Sequence, residues 1–214
     1  MSILDLAKTK VLPILQKDNL LEKPVLFKTQ ENILYTNFMD SKSEGLSFSK
    51  IEKELLLKDL LNLDLKEDKN KELYVGYLNA FANFYYKENT TIFCKNKQFC
   101  FNEIGSRLLK RYGANLSMCL IDYSMDNFEI LQKYGFKTDF LNFTKNNFQD
   151  HLYNCVANNF LVLCSGYCLT KSWADDIMDI ASMDNANRLV IFFGPQSAFL
   201  NLINLKRLCF FKEV

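Results

Sequence analysis

The residues best placed for chemistry stand in three short polar turns, each at the end of an apolar run. They are Asp122-Tyr123-Ser124, Ser165-Gly166-Tyr167-Cys168 and Gly194-Pro195-Gln196-Ser197, with Lys171 a few residues beyond the second. Together they offer a carboxylate, hydroxyls, a thiol, an amide and an ammonium. If the apolar runs are parallel strands, their carboxyl ends face one side, which is where open α/β sheets bind ligands. The helices that follow would aim unpaired backbone N–H groups at an anion. Such residues ordinarily serve as turns and helix caps, so it is their joint position that points to binding.

The familiar catalytic signatures are missing. The seven glycines never stand as GxGxxG or GxxxxGK, which excludes a dinucleotide fingerprint and a P-loop. His151 is the only histidine, which removes HExxH and any two-histidine metal site, and the polar stretch Thr144 to Asn154 predicts a surface position for it. Asp175, Asp176 and Asp179 follow Lys171 in a predicted helix, where early carboxylates offset the dipole. Cys164 and Cys168 flank the second turn as soft ligands, but a closed tetrahedral site would need further thiolates from distant segments.

The elements that must position these turns follow from periodicity. The run Leu116 to Asp122, then Thr138 to Phe143, Phe160 to Ser165, Leu189 to Phe193 and Leu208 to Phe211 have the length and apolarity of buried strands. Helical patterns at Asn127 to Tyr134, Ser172 to Met183 and Ser197 to Asn204 separate them, with Glu103 to Tyr112 as a leading helix. Alternating strands and helices mean a parallel sheet covered on both faces. The first half is more varied. An amphipathic N-terminal helix precedes a hairpin of Pro24 to Thr29 and Ile33 to Phe38, and Ser41 to Glu44 reads as a polar connector. Ser49 and Glu52 at capping-box spacing predict a helix to about Leu63, and the charged run Lys66 to Lys71 reads as a solvated loop. Glu72 to Tyr86 forms a strongly apolar helix interrupted by Asn79 and Asn83, and IFCKNKQFCF suggests a hairpin around Lys95 to Gln98. The fold class is therefore α/β: a small α+β domain over 1–90, then a Rossmann-like three-layer domain with a mainly parallel sheet over 91–214. An unpaired Asn79 amide would be costly inside the apolar helix, so it should be buried and hydrogen-bonded near the domain junction.

Composition narrows the function classes. With 214 residues, 49% hydrophobic and 24% charged, the chain is an ordinary globular protein, and a net charge of +1 supplies no bulk field for nucleic acid or an anionic membrane. The first residues interleave Asp5, Lys8, Lys10 and Lys17 with apolar positions, unlike a signal peptide, and no apolar stretch reaches membrane-spanning length. Seven cysteines, an odd number without CxxC spacing, suit reduced thiols packed as small hydrophobes. A cytoplasmic location is expected, and a homo-oligomer is compatible with all of this.

The segments SGYCLTKSWADDIMDIA and RLVIFFGPQSAFL resemble the C-terminal signature of the heavy-metal chelation family, uncharacterised proteins that join an enolase-N-terminal-like α+β domain to a Rossmann-like domain. Ser165 and Gly166 match its first turn, and Gly194, Pro195 and Ser197 its second, with Gln196 inserted or substituted. VGYLNAFANFYY, with Gly76, Asn79, Ala80 and Asn83, is similar to its Asn-Ala helix. The likeness covers about two thirds of the chain. Lys171 and Trp173 stand where the family has polar Asn and Thr, and Asp122-Tyr123-Ser124 replaces a glycine-containing turn. The resemblance implies a chelated metal ion as the one candidate cofactor. The expected function is a cytosolic binding protein that holds a metal chelate or small anionic metabolite in an interdomain crevice. The contacts would be Asn79, Asp122, Ser124, Ser165, Gly166, Lys171, Gly194, Gln196 and Ser197. The alternatives are a transferase or lyase using Asp122 or Lys171 in acid–base work, and a divergent structural or interaction protein whose crevice Trp173 fills.

Overall fold

A computed structural model describes residues 1–87, 89–93, 97–183 and 187–209. In chain order the elements are α1 (Ile3–Lys17), β1 (Pro24–Gln30), β2 (Ile33–Phe38), β3 (Ser41–Leu46), β4 (Glu52–Leu56), α2 (Leu57–Leu60) and α3 (Asp68–Tyr86). There follow α4 (Lys97–Tyr112), β5 (Ser117–Asp122), α5 (Met125–Gln132), β6 (Lys137–Asn142), α6 (Phe148–Ala157), β7 (Leu161–Ser165), α7 (Trp173–Ser182), β8 (Leu189–Phe193) and β9 (Arg207–Leu208). Tighter 3-10 turns occupy Gly166–Thr170 and Pro195–Ile203. The protein is α/β: an antiparallel sheet of order β3-β2-β1-β4, and a Rossmann-like sheet of order β6-β5-β7-β8-β9 in which β6, β5, β7 and β8 run parallel.

The chain forms two compact units. Unit 1 takes Met1–Phe93, Gly166–Asp175 and Gly194–Arg207; unit 2 takes Cys94–Ser165, Asp176–Phe193 and Leu208–Val214. The first division lies close to the expected residue 90, but two later segments return to unit 1, which a contiguous division does not anticipate. Those segments begin with the two 3-10 turns, whose residues are almost all buried, and the second of them bonds to β3 and α3 of unit 1.

In unit 1 the β1-β2 hairpin turns at Glu31 and Asn32, both in the left-handed region (φ 48° and 62°). The next segment is strand, not connector: Met39 (φ 56°) reverses the chain, and β3 pairs along β2 from Ser41↔Phe38 to Leu46↔Ile33. Its small residues serve close packing, since the buried Ser43 Oγ donates to the Gly76 carbonyl of α3 at 2.8 Å. The helix predicted from Ser49 is also absent. Glu52–Leu56 instead pairs with β1, satisfying that strand's second edge, and only the four residues of α2 are helical. This is tertiary pairing overriding a local capping signal. The charged run likewise differs, because α3 already starts at Asp68, and Lys71 and Glu72 are buried. Tyr74, Tyr77, Leu78 and Phe81 bury fully against the sheet. Gly76 permits the approach, for a Cβ there would lie 2.4 Å from Thr36 Oγ1.

In unit 2, Leu120, Leu163, Ile191 and Phe193 of the parallel strands form one core with Phe101, Ile104 and Leu108 of α4 and Ile130 and Leu131 of α5. The helical spacing of Phe101, Ile104 and Leu108 explains why Lys97 onward is α4 and not the second strand of the expected hairpin; residues 94–96 lie outside the described residues. The polar stretch after β6 conceals α6, which buries Phe148, Leu152, Cys155 and Val156 along one face and leaves His151 exposed. Of the run Leu208 to Phe211 only its first residue lies in β9, and 210–214 are outside the described residues. No helix among the described residues is long and apolar enough to cross a membrane.

The cysteines depart from expectation. Cys119 of β5 and Cys155 of α6 form a disulfide, while Cys100, Cys164, Cys168 and Cys209 keep the thiol form. Spacing along the chain could not show this, because the two come together only when α6 packs over β5. The thiol part of the argument for a cytosolic location therefore falls away. The bond closes a loop of sequence separation 36, so its reduction should lower stability by about 2–4 kcal/mol. Urea unfolding with and without dithiothreitol measures this, and alkylation of the urea-unfolded chain without reductant should leave only Cys119 and Cys155 unmodified among the described cysteines.

Candidate functional site

The nine residues singled out in the sequence fall in both units: Asp122, Ser124 and Ser165 in unit 2, the other six in unit 1. Asp122 ends β5 with its carboxylate engaged twice, accepting from the Tyr123 N–H at 2.8 Å and from Asn127 Nδ2 at 2.6 Å. Both bonds fix the turn into α5. Ser124 is the N-cap residue of α5 with no side-chain cap bond, and Ser165 is the buried last residue of β7.

Within unit 1 the structure brings Asn79, Gly166, Gly194, Gln196 and Ser197 together, and it engages their polar groups with the protein itself. Asn79 is 1% exposed. Its Nδ2 donates to the carbonyls of Val75 (2.9 Å) and Gln196 (3.0 Å), and its Oδ1 accepts from the Phe199 N–H (2.9 Å). Gln196 behaves like a length of strand: Oε1 accepts from the Leu46 N–H at 2.9 Å and Nε2 donates to the Leu46 carbonyl at 3.0 Å. Ser197 Oγ donates to the Gly194 carbonyl at 2.7 Å. Gly194 takes a positive φ of 88° to enter the 3-10 turn. A Cβ on Gly166 would lie 2.9 Å from the Ser197 N, so these two turns meet without space for a methyl group.

Lys171 has different surroundings. Its Nζ lies 2.9 Å from Asp68 Oδ2, 3.7 Å from Glu72 Oε1 and 5.5 Å from the Tyr167 ring centroid. Next to it, Lys71 Nζ donates to Ser172 Oγ at 2.9 Å and lies 3.6 Å from Asp68 Oδ1. Glu72, 2% exposed, accepts from Ser47 Oγ at 2.7 Å. Partial burial strips water from the Lys171 ammonium and by itself lowers the pKa. The hydrogen bond to Asp68, with Tyr167 and Glu72 behind it, outweighs that and holds it above the usual lysine value. Its ion pairing is therefore complete at neutral pH and fades only as pH rises through the raised value.

These lysines wall a cavity of about 270 Å³. Lys66, Lys71, Lys171, Ser172 and Asp175 line it with the N-terminal residues of α1, while Leu4, Leu65 and Leu169 supply apolar wall. Of the nine sequence candidates only Lys171 lines it. Lys66 and Lys71 were missed because the run Lys66 to Lys71 looked like a loop, and Asp175 because it read as an early helix carboxylate offsetting the dipole. The usable signal was Asp68, Lys71, Glu72 and Val75 at helical spacing, charges leading straight into a buried face. A second cavity of about 410 Å³ in unit 2 lies beside β6 and α6, where the exposed Lys145, Asn147, His151 and Asn154 gather. Among the described residues, no three His, Cys, Asp or Glu side chains gather as a metal-ligand set.

The unit architecture has solved counterparts. No protein-family model and no curated protein matches the chain. A crystal structure from Pyrococcus horikoshii, described as a protein with unknown function from the DUF364 family, shares the fold with a TM-score of 0.60 and 15% identity over 95% of this chain and 83% of that one. Another DUF364 protein of unknown function, from Desulfitobacterium hafniense, gives 0.58 and 8% over 93% and 81%. The fold is that of an uncharacterised family. Neither description names a ligand, a metal or a reaction.

The geometry gives Asn79 a structural task. Replacing it with Leu would leave the Phe199 N–H and the Gln196 carbonyl without its amide, so Asn79→Leu should cost about 2–4 kcal/mol in urea unfolding. A loss below about 1 kcal/mol would show that the carboxamide is not what holds the 3-10 segment.

Proposed function

We propose that this protein binds a small anionic metabolite and that the lysine-walled cavity of unit 1 holds it. One observation carries the reading: two lysines, with side chains only 10% and 15% exposed, converge with Lys66 on a cavity of metabolite size. Buried ammonium groups are costly unless charge or hydrogen bonds meet them. Asp68 and Glu72 meet them from behind, and an anion would meet them from the cavity side. The apolar wall of Leu4, Leu65 and Leu169 fits the general form of small-molecule sites, in which a few polar groups fix orientation.

A metal chelate enters this reading only through its anionic ligand groups. Among the described residues no set of side chains fits a protein-ligated metal, so a metal would arrive inside its chelate, recognised by the chelate's carboxylates or phosphates. The enzymatic alternative has less support. A lysine held above its usual pKa stays protonated at neutral pH and is a poor general base, and the Asp122 carboxylate is already engaged by Tyr123 and Asn127. Trp173 does not line this cavity; its ring packs edge-on against Tyr167.

The test compares Lys171→Ala with Lys69→Ala, which removes the same charge from the exposed face of α3. In calorimetric titrations with succinate and with inorganic phosphate, Lys171→Ala should weaken binding about tenfold or more, the worth of one charge-assisted hydrogen bond. Lys69→Ala should leave it unchanged. Equal losses in both variants, or no binding of either anion to the wild type, would overturn the proposal.

A further inference from the structure

The charges on the cavity wall are of both signs, and this narrows the ligand. Resting on the anion-binding reading above, we infer that the site selects an acidic amino acid: two anionic groups held by the lysines and one protonated amine held by Asp175.

Asp175 belongs to the first turn of α7, three residues after Ser172. Ser172 immediately precedes the helix, and its carbonyl accepts from the Asp175 N–H at 3.1 Å, which holds the two residues in one turn. Ser172 Oγ receives Lys71 Nζ, so an ammonium marks one end of that turn and the Asp175 carboxylate the other. Asp175 uses one oxygen, Oδ1, to accept from the Ile3 N–H at 2.8 Å, which fixes the carboxyl group against the start of α1. The other oxygen, Oδ2, has no partner among the described residues, and the residue lines the cavity. A carboxylate held in place by one oxygen with the other left over is suited to receive an ammonium.

The charge balance agrees. Lys66, Lys71 and Lys171 line the cavity together with Asp175, while Asp68 pairs with Lys71 and Lys171, and Glu72 with Lys171, from outside its lining. A plain dianion would satisfy the lysines but stand against Asp175. A net-negative zwitterion complements both, and discrimination of this kind works through the repulsive element as much as the attractive one. The volume of about 270 Å³ lies just below the roughly 300–1,000 Å³ of drug-sized pockets, which suits a metabolite of amino-acid size.

Matched probes separate the two layers of the argument. Succinate, L-aspartate and N-acetyl-L-aspartate share a dicarboxylate frame and differ in whether an amine is present and charged; glutarate and L-glutamate repeat the comparison one carbon longer. Titrated into the full chain, the free amino acid of at least one series should bind about tenfold or more tightly than its plain dicarboxylate, and N-acetylation should abolish that advantage. Asp175→Asn keeps an oxygen for the Ile3 N–H but loses the charge. It should weaken amino-acid binding about tenfold and leave the dicarboxylate unchanged or tighter. Should this variant fail to fold by circular dichroism, the wild-type comparison decides alone. Dicarboxylates binding as tightly as their amino acids in both series would overturn the amino-acid inference and leave the anion site standing. No binding by any probe would overturn both.

Discussion

Unit 1 depends on one side-chain amide. Asn79 sits on a helix whose other inward residues, Tyr74, Tyr77, Leu78 and Phe81, are apolar and almost wholly buried. Apolar contacts hold α3 against its sheet but are non-directional and would tolerate sliding. The carboxamide is directional. It reads the Gln196 carbonyl and the Phe199 N–H in one arrangement only, which sets where the 3-10 segment lies along the helix. Gln196 then repeats the device against β3 by imitating a backbone unit. The Gly-Pro-Gln-Ser segment thus owes its place to two amides.

The lysine cavity lies at the other end of the same helix. Asp68, Lys71 and Glu72 occupy the first turns of α3, and Lys171 reaches them from the segment that follows β7. Removing one member of such a group leaves a buried charge unmatched, whereas the complete group gains little stability over apolar packing. What these charges present therefore matters more than what they stabilise. Asp68 lies within ion-pair distance of both lysines and Glu72 of Lys171, and the same two lysines line the cavity.

How much of this could be read in the sequence depends on where each element finds its partners. The parallel strands β5 and β7 announced themselves because both faces are buried, and a short unbroken apolar run such as Leu161 to Leu163 fits little else than a strand covered on two sides. By contrast β3, with the sequence SKSEGL, has small polar residues where α3 and Gln196 come close, and nothing local marks a strand whose packing surface is a distant glycine and a distant amide. The pairing of β4 with β1 overrode a sound capping-box pattern for the same reason. At the site, Lys171 was visible as an isolated cation beyond a turn. Lys71 and Asp175 were not, since their importance comes from contacts with Ser172 and Ile3 that lie about a hundred or more residues away in the chain.

That last fact bears on how the molecule is made. A ribosome releases the chain from its N-terminus, so α1, the antiparallel sheet and α3 emerge before any of the 3-10 segments that complete their unit. Until residue 175 is exposed, the cavity lacks Lys171 and Asp175; until residue 199 is exposed, Asn79 is an unmatched amide on an apolar helix. The nascent protein must therefore carry an unfinished first unit through synthesis of most of the second, with the face of α3 that carries Asn79 as the surface most in need of protection during that interval.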